Sequence, residues 1–220
     1  MDWQALQLSL LLAALTSALL LPLGLLLARA LAHQQFTGKY LIEALIVLPL
    51  VLPPTVLGYF LLTAMDQNAL MGQWFYQLTG SQLAFSFNGL LLASLIYSLP
   101  FAVQPMLRAL EQIPYGLREA AWCSGLSRWQ TFLKIELPLA WPGIVTGLVL
   151  SFCHTLGEFG VVLMIGGNIA GETRTLSIAI YDSVLAFDHA AAQQMSIMLL
   201  LIAMVTVTLV YRFNRRLMRI

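Results

Sequence analysis

Of 220 residues, 60% are hydrophobic and only 10% are charged, whereas a soluble domain carries about 25% charged residues. That balance excludes a soluble globular enzyme and describes an integral membrane protein, with room for about five or six spanning helices of ~20 residues and almost nothing left for a soluble domain. Two cysteines, Cys123 and Cys153, fall in different segments, so neither a disulfide framework nor a thiolate metal site is expected.

In chain order the apolar segments run from Leu6 to Leu31, Leu41 to Met65, Phe85 to Leu107, Leu137 to Ile165 and Met195 to Phe213. Each is long enough to cross about 30 Å of hydrocarbon with some tilt. The first resembles a signal peptide only at Ala28 to Ala32. Asp2 stands where a positive n-region belongs, and the run is too long for an h-region, so it reads as the first membrane helix. Pro49, Pro53 and Pro54 interrupt the second segment, and Pro100 with Pro105 the third. Carbonyls freed there need protein or water as partners, so these segments are expected to face protein or an aqueous path. A sixth crossing between Leu176 and Phe187 is too short and carries Asp182 at its centre, which fits an interfacial or re-entrant helix better. No internal repeat is evident, which weighs against an inverted-repeat carrier.

Charge sorts the connections. Arg29, Lys39, Arg108, Arg118, Arg128, Lys134, Arg212, Arg215, Arg216 and Arg219 share one side, ten of the 11 Lys and Arg. Asp2, Asp66, Glu172, Asp182 and Asp188 share the other with Arg174. The positive-inside rule then places the N-terminus outside and the C-terminus in the cytoplasm, with about five crossings in a single all-α transmembrane domain over residues 1–220. The charge-bearing connection at about 109–136 lies in the cytoplasm on this reading.

Several chemistries lack their motif. Gly38-Lys39 continues to Tyr40 without the earlier glycine of a phosphate-cradling loop, no G-x-S-x-G turn occurs, and His154-Thr155-Leu156-Gly157-Glu158 is not H-E-x-x-H. His154 and Glu158 do share one helix face, and ionisable groups inside a membrane are functional candidates. Three readings of the pair stand: a structural bond of Glu158 to His154 or a nearby loop, a gate on a transport path, or a metal site. Arg174 follows the flexible Gly166-Gly167-Asn168 and either pairs with Glu172 or Asp182 or meets an anion or acidic partner.

Glu119-Ala120-Ala121, three residues, Gly125, nine residues, Ile135, one residue and Leu137-Pro138 resembles the E-A-A-x3-G-x9-I-x-L-P loop of bacterial binding-protein-dependent ABC importer permeases, with every defining position matched. Leu48 to Tyr59, and Leu156 to Gly160 through Gly166 to Thr175, are similar to molybdate permeases, with sulfate permeases sharing the layout. Ala170 stands where that family's stretch has proline. The resemblance implies an inner-membrane homodimer, a cytoplasmic ABC ATPase that receives the loop, a periplasmic oxyanion-binding protein and lipid around it, with no cofactor, no metal, no nucleic acid and no enzymatic activity of its own. Glu119, Ala120, Ala121 and Gly125 then form the ATPase-coupling element. Thr55, Thr146, Ser151 and Thr155 are candidate path-lining hydroxyls, with Glu158 and Arg174 as candidate gate or path residues. The implied substrate is molybdate. Sulfate or tungstate is the rival within the class, and an intramembrane enzyme built on His154 and Glu158 the rival outside it.

Overall fold

A computed structural model describes residues 1–34 and 36–217, with side chains described through residue 212; Arg219 and the Arg215 and Arg216 side chains of the basic carboxyl end lie outside the described residues. Among the described residues all regular structure is helical. Helix α1 (Trp3–His33) opens on Asp2, whose carboxylate accepts a 2.9 Å hydrogen bond from the Ala5 N–H, satisfying one of the free donors of the first turn. Its 31 residues extend about 46 Å, more than a bilayer core requires.

The second apolar segment folds as two helices, α2 (Lys39–Val51) and α3 (Pro54–Met65), bent by 111° where they meet. Pro53 disfavours helical backbone at Leu52, and two successive prolines remove two donors. Leu52 accordingly turns extended, at φ −70° and ψ 140°. Pro49 remains inside α2. A short amphipathic helix, α4 (Leu70–Thr79), fills the connection that carries no predicted element. Ten residues span only about 15 Å, and Leu70, Trp74 and Leu78 on it are exposed.

Pro100 and Pro105 do not interrupt the third segment. Helix α5 (Phe87–Glu111) runs through both of them. Ser86 caps it by accepting from the Gly89 N–H, and burial of the helix against two neighbours holds it together where backbone bonds are missing. After α5 come α6 (Tyr115–Cys123) and α7 (Arg128–Thr131), which continues through a π turn at Phe132–Glu136 into α8 (Leu137–Gly157). The apolar segment expected from Leu137 therefore belongs to a helical stretch that starts earlier, at Arg128. In the wide turn the Leu137 N–H bonds to the Phe132 carbonyl, which carries the chain past Pro138 without ending the helix.

The fourth apolar segment also divides. It leaves α8 at Gly157 and resumes as α9 (Gly160–Gly166). Two last helices follow, α10 (Leu176–Leu185), short as expected, and α11 (His189–Leu217). Among the described residues, four helical stretches are long and apolar enough to cross a membrane: Trp3–His33, Phe87–Glu111, Arg128–Gly157 and His189–Arg212. The bent α2–α3 pair supplies a fifth if it forms one span.

Helices α1, α5 and α8 form the central trio. Small residues let them approach: a Cβ on Gly147 would stand 2.6 Å from the Ala102 carbonyl oxygen, so α8 lies against the backbone of α5. Apolar clusters fill both ends of the trio. One gathers Leu12, Leu61, Leu90 and Val162, and the other Leu31, Val103, Met106 and Ile144. Between them sits a band of hydroxyls, with Ser17 and Ser151 3.4 Å apart and Ser98 and Thr155 2.9 Å apart.

Candidate functional site

At the loop end of the bundle, α6 and α7 meet at Gly125, whose φ of +85° is a left-handed conformation that glycine adopts without a Cβ penalty. The capping box of Ser127 and Gln130 then starts α7: the Ser127 hydroxyl accepts from the Gln130 N–H at 3.2 Å, and the Gln130 side chain accepts from the Ser127 N–H at 2.9 Å. Helix α6 presents two faces. Glu119 and Ala120 are exposed, while Ala121 is buried. Small side chains on the outer face permit close approach of another helix or cleft.

Arg118, next to the exposed pair, points the opposite way. Its guanidinium lies 3.0 Å from Glu136 and donates to the Leu110 carbonyl at 3.2 Å. Glu136, 3% exposed, also receives Arg29 at 3.4 Å and His33 at 3.5 Å from the end of α1. The π turn is the local feature that carries Glu136 into this position. Arg29 is held further by stacking over Phe132, 4.1 Å from the ring centroid, and by a bond to the Arg128 carbonyl. One buried carboxylate thus ties the loop helix to α1 and to the start of α8, while Arg118 itself reaches α5. A charge so buried demands partners.

Glu136 is the unnamed position of the I-x-L-P stretch, and Arg118 directly precedes Glu119-Ala120-Ala121. Motif reading passes over both. The available signal was the coincidence of Arg29, His33, Arg118 and Glu136 at segment ends in a chain so poor in charge.

A second polar cluster lies within the helices. His154 stacks on Phe101 at 3.9 Å between centroids, and its Nδ1 is 3.1 Å from the Ser98 hydroxyl. Ser98 also bonds Thr155, and Tyr97 meets the His154 ring edge-on while bonding Ser94 at 3.1 Å. Glu158 approaches His154 Nε2 to 3.9 Å. Its Oε1 accepts from the Val161 N–H at 3.1 Å, capping the first turn of α9, while its carbonyl accepts from the Ser177 hydroxyl at 2.6 Å. Glu158 therefore bonds the adjoining segment, while its 3.9 Å separation from His154 is longer than a hydrogen bond.

Thr55 is exposed at the start of α3. Pro54 beside it packs so closely on Gly160 that a Cβ there would stand 2.8 Å away. The break before α3 and the break before α9 are thereby brought together, with Glu158 alongside. Of the other hydroxyl candidates, Thr155 and Ser151 are buried among helices of the same chain, Thr146 is half-buried, and Thr146 and Ser151 donate to the Pro142 and Leu148 carbonyls. Arg174 pairs with Asp182 at 3.2 Å and with Asp2 at 3.6 Å, rather than with Glu172. Asn168 donates to the same Asp182 at 2.6 Å. No group of three or more potential metal-ligating His, Cys, Asp or Glu side chains occurs among the described residues.

Among the described residues, an all-helical bundle of four to five apolar spans, with a helix–glycine–helix loop anchored at one end, defines a polytopic membrane protein. Residues 20–219 match the family described as "Binding-protein-dependent transport system inner membrane component", and the chain belongs to it. It is 47% identical over 191 residues to the molybdenum transport system permease protein ModB of Azotobacter vinelandii, covering 87% of this chain and 84% of that one. Its identity to the sulfate transport system permease protein CysT of Escherichia coli (strain K12) is 36% over 197 residues, 88% of this chain and 71% of that one. Among solved structures, a bacterial alginate ABC transporter in complex with an alginate pentasaccharide-bound periplasmic protein matches with a TM-score of 0.76 at 20% identity, covering 97% of this chain and 78% of the other. That last likeness shows the fold.

Proposed function

We propose that the chain is the membrane-spanning subunit of an ABC importer that passes molybdate through the inner membrane, with ATP hydrolysis supplied by a separate subunit. The observation that carries the reading is the 47% identity to a molybdenum permease over most of both chains. The lower identity to the sulfate permease makes sulfate the weaker reading. In this reading the loop end is cytoplasmic, a second copy completes the passage, and a periplasmic binding protein delivers the oxyanion to the opposite face.

The coupling element is Glu119, Ala120, Ala121 and Gly125. Glu119 and Ala120 are the face offered to the ATPase, and Ala121 seats α6 on its own bundle. Motion imposed on α6 passes through Arg118 to Glu136, and so to α8 and α1. At the far end, Thr55 and Glu158 flank the two helix breaks and form a gate, and Arg174 holds the N-terminus to α10 beside it. Discontinuous helices suit this role, because their free backbone groups line a polar passage.

Uptake of labelled molybdate in cells whose own permease is deleted tests the proposal. Cells carrying this chain with its ATPase and binding protein are expected to accumulate molybdate, and excess sulfate is expected to compete poorly. A Glu119→Ala variant that inserts at normal levels is expected to lose most of the uptake. Retained ATP-coupled uptake in that variant overturns the coupling assignment, and stronger competition by sulfate overturns the substrate.

A further inference from the structure

The anchor around Glu136 opens into a cavity of about 740 Å³ between the end of α1 and the α6–α7 loop. Among the described residues lining it, Arg29, Arg118 and Arg128 face a single carboxylate, Glu136. Three guanidiniums against one carboxylate leave two positive charges without a counter-charge. Both His33 ring nitrogens, Arg118 Nε and Glu136 Oε2 are buried there without an aligned hydrogen bond, although Arg118 Nε and His33 Nε2 stand 3.0 and 3.5 Å from the Glu136 carboxylate. A partly buried surplus of this kind is stabilised by an anion.

The surroundings identify the anion's chemistry. Trp129 lines the cavity, and indoles are enriched at the edges of a bilayer. Leu26 lines it too, and is the last of Leu11, Leu15, Leu19, Leu23 and Leu26, all exposed on α1. Spacings of four and three residues keep these on one side of the helix, and Arg29 continues the same face. That apolar strip is about 22 Å long, enough for an acyl chain crossing one leaflet of a core ~30 Å thick. An apolar strip leading into a cationic pocket fits a lipid and is superfluous for a free ion.

We infer that this cavity is a binding site for an anionic phospholipid, its phosphate held by Arg29, Arg118 and Arg128 and its acyl chain laid along the exposed leucines of α1. Guanidinium forks suit phosphate oxygens, and basic pockets between membrane helices take anionic headgroups in this way. The inference concerns a structural ligand and does not depend on which oxyanion is transported.

Native mass spectrometry of the delipidated protein, in the assembly in which it leaves the membrane, tests it by titration with palmitoyl-oleoyl phosphatidylglycerol and the matching phosphatidylcholine. At least about tenfold preference for phosphatidylglycerol is expected from three cationic contacts. Arg128→Gln leaves the Glu136 contacts in place and is expected to weaken phosphatidylglycerol roughly fivefold, without changing phosphatidylcholine. Arg29→Gln, if it remains folded, is expected to act in the same direction. Equal binding of the two lipids, an unaltered preference in Arg128→Gln, or displacement of phosphatidylglycerol by millimolar inorganic phosphate would each overturn the lipid assignment.

Discussion

Glu136 and Glu158 are both carboxylates at the ends of α8, and they are held in opposite ways. Glu136 is 3% exposed and meets two arginines and a histidine from two other parts of the chain, the end of α1 and α6. Glu158 is partly exposed, accepts one backbone N–H, and has His154 as its nearest ionisable partner at 3.9 Å. The first is held by charge from several sides, which suits the proposed joint between the loop and α8. The second sits at a break in the helix and is held by a single backbone donor, which suits the proposed gate. One helix thus carries a heavily partnered carboxylate at one end and a sparsely partnered one at the other.

Removing the joint is expected to have the largest effect. Glu136→Ala leaves Arg118 buried beside Arg29 without a carboxylate, a loss of about 3–5 kcal/mol for a broken buried pair, visible as a lowered thermal midpoint and poor yield from the membrane. Within the intramembrane cluster the effect is expected to be smaller. Ser98→Ala deprives His154 and Thr155 of a shared hydroxyl and costs about 1–3 kcal/mol, measured by thermal unfolding in detergent. Smallest on stability is Glu158→Gln. Its amide oxygen still accepts from Val161, so a change under about 1 kcal/mol is expected. Molybdate uptake is nevertheless expected to fall in that variant, because the gate loses its charge. Unchanged uptake at normal expression would reduce Glu158 to a helix cap and erase the functional half of the contrast.

Glu119, Gly125 and Pro138 mark the loop by spacing alone, and Gly125 takes the left-handed turn that such spacing requires. The apolar runs likewise locate the spans, because a bilayer imposes length on any helix crossing it. Prolines were less legible. Pro53-Pro54 breaks the chain, whereas Pro100 and Pro105 lie inside a continuous α5, and the difference is tertiary: α5 is packed between α1 and α8. The amphipathic α4 is too short to register against a membrane-length window. The Glu136 anchor depends on a π turn and on residues from distant parts of the chain, neither of which spacing reveals. Among the hydroxyl candidates, Thr155 and Ser151 turn inward because helix rotation, invisible to a list of residue types, decides which face a side chain occupies.

The most direct test of the joint is a double-mutant cycle on Arg118→Gln and Glu136→Gln, read as molybdate uptake and ATP hydrolysis in the reconstituted importer. If the pair links the loop to α8, each single variant that assembles hydrolyses ATP with little uptake, and the double variant is no worse than the poorer single. Additive losses, or single variants that still couple hydrolysis to uptake, would contradict the account.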